Sequence, residues 1–160
     1  MDFSALIALG VFIALNFLTS LSGALFKPGA WYQSLAKPGW TPPNWAFPLV
    51  WSALYLMNAV SGWLVWQAAG MAALPALCVY LVSLILNAGW SAMFFGLRRM
   101  DLGLVNVALL WLSILAVAIL FWPYSPIAAA LQLPYLLWVS IASALNFTVW
   151  RMNRGASASA

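Results

Sequence analysis

Residues 75–101 read PALCVYLVSLILNAGWSAMFFGLRRMD. The first 23 carry no charge, and two arginines and an aspartate then follow within four positions. At ~1.5 Å per residue, such a run wound as an α-helix covers the ~30 Å hydrocarbon core of a bilayer. A strand of a membrane barrel would alternate apolar and polar residues over ~10 positions, and this stretch does not alternate. Inside lipid only a helix satisfies its own backbone groups within one segment. The stretch therefore predicts a membrane-spanning helix that ends at Leu97 and a second one that starts at 102, with Asp101 placed to cap it.

Working outward, four more apolar runs of similar length appear, at 3–26, 46–68, 102–122 and 127–150. The expectation is an all-α polytopic membrane protein, one bundle of five transmembrane helices occupying residues 1–160. Composition agrees: 66% of the chain is hydrophobic and 5% is charged, against about 25% charged in soluble proteins. Three of the connections are short, and only 27–45 is long. The start MDFSALIALGVF is acidic at Asp2 and lacks a basic leader, so no cleaved signal peptide is expected. The tail GASASA (155–160) predicts disorder.

Charge supplies orientation. Lys27 and Lys37 lie in the first connection, Arg98 and Arg99 in the third, and Arg151 and Arg154 in the C-terminal tail. Five crossings put all three segments on one side and leave the other without a cation. The positive-inside rule then places the long loop and C-terminus in the cytoplasm and the N-terminus outside.

The same inventory excludes much chemistry. The chain has no histidine and two acids, Asp2 and Asp101. There are no paired carboxylates, no nucleophile with a base, no phosphate loop and no metal cluster. Scattered cations without a stacking motif give no nucleic-acid surface. The single cysteine, Cys78, can form no internal disulfide and reads as a small packing residue. No span contains a charge, which argues against an ion-coupled pump.

Polar residues within the spans are few and regularly placed. Each span holds one asparagine: Asn16, Asn58, Asn87, Asn106 and Asn146. Any one of them reads as an interhelical hydrogen bond that fixes register. Together they suggest a polar lining, because carboxamides avoid lipid. Helical spacing sets Asn16, Ser20 and Gly23 on one stripe, Trp51, Tyr55, Asn58 and Gly62 on another, and Ser83, Asn87 and Ser91 on a third with Trp90 and Phe94 beside it. On the last span Tyr135, Trp138, Ala142 and Leu145 share a face. Of the tryptophans, Trp31, Trp40, Trp45, Trp66, Trp122 and Trp150 fit an interfacial belt. Trp90, Trp111 and Trp138 lie deeper, where helix packing or ligand stacking would hold them.

The long loop contains WTPPNW (40–45). Each proline fixes its own φ and restricts the residue before it, so the segment is stiff and extended. It can anchor Trp40 and Trp45 at the interface or hold them as a lid over the bundle.

The motifs KPGWTPPNW, NAGWSAMFFGLRR and LPYLLWVSIASALNFTVWRMN resemble the translocator protein family, also called tryptophan-rich sensory proteins or peripheral-type benzodiazepine receptors. The likeness runs through nearly the whole chain. It implies a five-helix fold whose first loop closes a cytosolic-side pocket for porphyrins and small apolar ligands. Trp51, Asn87, Trp138 and Ala142 would fall at pocket positions, with Tyr32, Pro42 and Trp45 approaching from the loop. Trp40, Tyr55 and Trp90 complete the expected ligand-binding set. No cofactor is required; a protoporphyrin-like porphyrin is the expected ligand, with membrane lipids as surroundings.

Two departures stand out. The animal sterol motif needs a tyrosine before a basic residue, and LNFTVWR has Phe147 and Thr148 there. The resemblance also implies a homodimer through small residues four apart on the third span; the nearest positions here, Cys78 and Val82, are a poor small pair, so the interface of that dimer is left open. The expected role is sensory or transport-linked binding. The alternatives are light-dependent porphyrin degradation, with Trp51 and Trp138 as the oxidisable indoles, and passive carriage of lipids or metabolites.

Overall fold

The computed structural model describes residues 3–154, and among them every regular element is helical. Five long helices and one short one follow in order: α1 (Phe3–Leu25), α2 (Ala30–Ser34), α3 (Ala46–Ala69), α4 (Leu74–Ser91), α5 (Met100–Phe121) and α6 (Pro126–Asn153). A 3₁₀ turn, Gly70–Ala73, joins α3 to α4, and a π-helical turn, Ala92–Gly96, extends α4. The expectation for the tail at 155–160 lies outside the described residues, as does Asp2.

Four continuous helical runs are long and apolar enough to cross a membrane: Phe3–Leu25, Ala46–Gly96, Met100–Phe121 and Pro126–Asn153. The second, of 51 residues, would reach ~75 Å if straight, but it is not straight. Gly70 sits at φ 51°, ψ −127°, a conformation open to glycine and costly for residues with a Cβ. There α3 ends and the chain turns into α4. At the other end of α4, Arg98 takes φ 56°, the left-handed position at which helices commonly stop.

The long helices close a ring. α1 packs on α3 and α4, α3 on α6, α6 on α5, and α5 on α4. Chain neighbours α3 and α4 share no broad interface: each packs on α1, and they meet through side chains such as Tyr55 and Asn87. Each helix buries one stripe and shows the rest. On α5 the buried stripe is Met100, Gly103, Val107, Leu110, Ile114, Val117 and Phe121, steps of three and four that match helical periodicity, with Asn106 beside it. Leucines, isoleucines and phenylalanines cover the outer faces, including Ile85 at 70% exposed and Leu137 at 65%. Such a surface suits lipid.

Two close approaches fix the packing. A Cβ on Gly62 would lie 2.7 Å from the Phe12 ring and 3.1 Å from Tyr80, so only glycine lets α1, α3 and α4 meet there. A Cβ on Gly96 would lie 2.8 Å from Phe26. That contact joins the end of α1 to the end of α4. Ala36 in the loop bonds Asn153 at the end of α6, N–H to Oδ1 at 3.0 Å and Nδ2 to the carbonyl at 2.9 Å. Lys27, Lys37, Arg98, Arg99, Arg151 and Arg154 therefore gather at one end of the bundle.

Some expectations change. Asp101 is not the helix cap: the N-terminal position belongs to Arg99, and Asp101 sits in the first turn. It accepts from Arg99 through Nε at 2.8 Å and Nη2 at 2.6 Å, a solvent-exposed fork. Its charge still complements the helix N-terminus. Cys78 is exposed on the outer face of α4 rather than packed inside. The expected α1 stripe rotates: Asn16 and Thr19 are buried, while Gly23 is exposed with nothing within 4 Å.

Candidate functional site

Four of the five asparagines are held in hydrogen bonds, in three tiers. Farthest from the cationic end, Asn16 donates to Tyr80 Oη at 2.6 Å, and Asn58 donates to Asn16 Oδ1 at 2.9 Å. Gln132 donates to Asn58 Oδ1 at 2.9 Å and to Ser61 Oγ at 2.8 Å, and Ser61 donates to the Ala128 carbonyl at 2.8 Å. This network is at most 2% exposed throughout and ties α1, α3, α4 and α6 together. Its groups satisfy one another, so it is structural glue. Gln132 and Tyr80 carry half of it and escaped the sequence reading, although a glutamine inside an apolar span was a visible signal.

The middle tier is aromatic. Tyr55 donates to Asn87 Oδ1 and Asn87 Nδ2 donates to Tyr135 Oη, both at 2.7 Å. Trp51 stacks on Tyr55 at 5.6 Å between centroids and meets Tyr135 edge-on at 6.0 Å. Asn87 of α4 thus orients a phenol on α3 and a phenol on α6, and the Trp51 indole of α3 packs against both. Trp138 is half-buried, edge-on to Phe47 at 5.8 Å, with Ala142 one turn further along α6. Its Nε1 is buried and has no hydrogen-bond partner among the described residues. Trp138 also forms a wall of an open apolar groove of about 360 Å³ between α3 and α6, lined by Leu49, Ala53, Met57, Pro134 and Leu137 among others.

The tier nearest the cations joins the loop to the bundle. Trp90 donates to Asn146 Oδ1 at 3.2 Å, and Asn146 Nδ2 donates to the Met100 carbonyl at 3.1 Å. Trp90 stacks on Phe94 at 5.1 Å. Tyr32, on α2, meets Phe94 at 6.2 Å and Phe95 at 5.3 Å, and Trp31 meets Phe94 at 5.8 Å. The Lys37 ammonium lies 4.7 Å above the Tyr32 ring. Burial raises the Tyr32 phenol above its ordinary pKa, so it stays neutral near pH 7. Tyr32 rests on Phe94, which helical spacing sets beside Trp90, and on Phe95, which the sequence reading missed.

The ten expected ligand-binding residues thus fall into two groups. Trp51, Tyr55, Asn87, Trp90, Trp138 and Ala142 lie on inward-turned stretches of α3, α4 and α6, and Tyr32 packs against the bundle from α2. From the loop tip, Pro42 is half-buried, whereas Trp40 and Trp45 are exposed at 52% and 68% and take part in none of the ring stacks found among the described residues. Trp111, deep on α5, donates to Ser140 Oγ at 2.8 Å on the outer α5–α6 face, which makes it a packing residue.

Long apolar helices in a closed ring, an aromatic interior and one cationic end define an integral multi-pass membrane protein. The chain belongs to the TspO/MBR family, whose model matches residues 7–151. It is 43% identical over 139 residues to Protein CrtK of Rhodobacter capsulatus, covering 84% of this chain and 85% of that one. To the tryptophan-rich sensory protein of Cereibacter sphaeroides it is 38% identical, covering 89% of each chain. To the translocator protein of Sus scrofa it is 37% identical, covering 88% of this chain and 84% of that protein.

Proposed function

We propose that this protein binds porphyrins and other apolar ligands inside its aromatic middle tier and serves a sensory or transport-linked role. The observation that carries the reading is the Trp51–Tyr55–Tyr135 group bridged by Asn87. It offers flat apolar surface for a macrocycle, and its polar groups are already oriented. Trp138 and Ala142 extend that surface along α6, Trp90 bounds it toward the loop, and Tyr32 and Pro42 cover it, with Trp40 and Trp45 at the membrane boundary. The names of the relatives, a sensory protein and a translocator, support the role. No resident cofactor enters this reading; the porphyrin is the ligand.

The bundle in this reading crosses the membrane five times. The break at Gly70 divides Ala46–Gly96 into two lengths that each suit one bilayer, and both lengths pack on α1. The cationic end faces the cytoplasm. The test is a titration of protoporphyrin IX into the detergent-solubilised protein, followed by tryptophan fluorescence. Saturable quenching at one porphyrin per chain is expected. Quenching that rises without saturation, as for partition into micelles, would overturn the reading.

A second reading, light-dependent porphyrin degradation, draws on the Trp51–Tyr55 stack, which would relay oxidation away from an indole beside the pigment. Trp51 and Trp138 would then be the reacting residues. Loss of the porphyrin absorption bands under light, dependent on both indoles, separates it from binding alone. Porphyrin flux into liposomes separates passive carriage.

A further inference from the structure

The aromatic tier is covered at both ends of the bundle. Toward the cations, Trp31 and Tyr32 rest on Phe94 and Phe95, and Asn153 holds the loop at Ala36 through two hydrogen bonds. At the far end, the Asn16–Asn58–Gln132–Ser61 network is buried and bonded to itself. A ligand that reaches the tier must therefore pass between helices.

Two outer grooves differ in what spans them. The groove between α5 and α6, beside Ala108 and Ser143, is crossed by the hydrogen bond from Trp111 to Ser140 at 2.8 Å. Between α3 and α6 the hydrogen bonds run from Ser61 to Ala128 and from Gln132 to Asn58 and Ser61, all in the far tier. Along the α3–α6 groove itself, from Pro134 to Ile141, the two helices share no hydrogen bond among the described residues. That groove opens outward between Leu49 and Leu137, 63% and 65% exposed, and Leu54 on its inner side is 4% exposed. Leu54 belongs to the same buried cluster as Tyr135, and Trp51 and Trp138 both pack against that cluster. Groove and tier thus share it as a common wall.

Two features of α6 make this wall movable. Trp63, Trp90 and Trp111 each donate through Nε1, to the Ala5 carbonyl at 3.0 Å, Asn146 at 3.2 Å and Ser140 at 2.8 Å. Trp138 Nε1 is buried and donates to nothing among the described residues, so its indole can turn without breaking a hydrogen bond. One turn earlier, Pro134 stands inside the helix. Proline has no N–H to give the carbonyl of residue 130, which weakens the helix at that point. Gln132, before the proline, is fixed in the far tier; the groove-lining stretch after it is not.

We propose that the α3–α6 groove is the doorway through which apolar ligands dissolved in the bilayer reach the aromatic tier, with Trp138 as its leaf and Pro134 as its hinge. Its lining is uncharged and apolar, so it admits molecules that partition into lipid and turns away ions. The inference rests on the reading that the tier binds porphyrins, and it adds the route by which they arrive. Freeing the loop at Asn153 would open a second exit and leave this one in place.

The test is stopped-flow mixing of protoporphyrin IX with the full chain in lipid nanodiscs, followed by tryptophan quenching. Ala53→Phe puts a ring into the groove from an exposed position, so the fold should survive; Ala53→Leu repeats the measurement if it does not. Association and dissociation should both slow by about tenfold, an added barrier of about 1.4 kcal/mol. Kd should stay unchanged, because a doorway alters the barrier and not the end states. Pro134→Ala, which stiffens α6, should slow both rates in the same proportion. Ala108→Phe, in the α5–α6 groove, should change neither. Unchanged rates in Ala53→Phe, or equal slowing by Ala108→Phe, would overturn the doorway while porphyrin binding stands. A weaker Kd with unchanged association would make the groove part of the binding site and not its entrance, which also overturns it. If wild type shows no saturable binding, the binding reading falls and the doorway with it.

Discussion

At the scale of single residues, what the bundle tolerates depends on where three helices touch. Gly62 faces both Phe12 and Tyr80, and those two rings themselves meet edge-on at 5.8 Å. A methyl group there must displace aromatic side chains that are already packed. Gly62→Ala is expected to destabilise by about 1–3 kcal/mol, as overpacked cores do. Gly39, with open space around it, is the control: Gly39→Ala should leave thermal unfolding in detergent unchanged. Equal melting of both variants would show that the α1–α3–α4 contact is looser than described. Residue roles were legible in the sequence where they follow from one helix alone. Spacing put Tyr55, Asn87 and Tyr135 on inward faces, because a period of 3.6 is a property of the segment. It could not say that Asn16 pairs with Tyr80, 64 positions away, since that depends on which helix stands next to which.

At the scale of elements, the boundaries of the long helices were readable because apolar length and charged or proline-containing ends set them. The short α2 was not. Five residues carry no period, and its position comes from Tyr32 and Trp31 packing on Phe94 and Phe95. The π turn at Ala92–Gly96 was hidden for the same reason. The loop as a whole is tied down at Asn153, which holds both the N–H and the carbonyl of Ala36. Asn153 also bonds the Val149 carbonyl at 2.7 Å. Asn153→Ala removes both loop bonds, each contributing roughly 0.5–1.5 kcal/mol. Backbone hydrogen exchange across residues 30–40 should rise several-fold, and a bound porphyrin should dissociate faster, with little change in the exchange of α5. Unaltered loop exchange would mean that Asn153 is not its anchor.

At the scale of the whole molecule, the segregation of cations and the ring of helices make one statement about topology. Six cations share an end, and the opposite end, with the Gly70 turn and the 123–125 connection, has none. Cysteines placed at 37 and at 154, with Cys78 replaced by serine, should therefore react with an impermeant reagent from the same face of a sealed vesicle. Labelling from opposite faces would break both the five-crossing path and the orientation. The central claim is that ligand lies against the inward face of α6. Trp138 and Trp150 are both indoles on that helix, but their settings differ. Trp138 borders the aromatic tier with its N–H buried, whereas Trp150 sits at the cationic end, tilted against Phe147, with Arg154 5.6 Å over its ring. Phenylalanine keeps most of the apolar volume at either position, so both variants should fold. The deciding measurement is the protoporphyrin IX dissociation constant of Trp138→Phe beside that of Trp150→Phe. The account predicts a loss of about 1 kcal/mol at 138, the size of one aromatic contact, and none at 150. Equal affinities in two folded variants would contradict it.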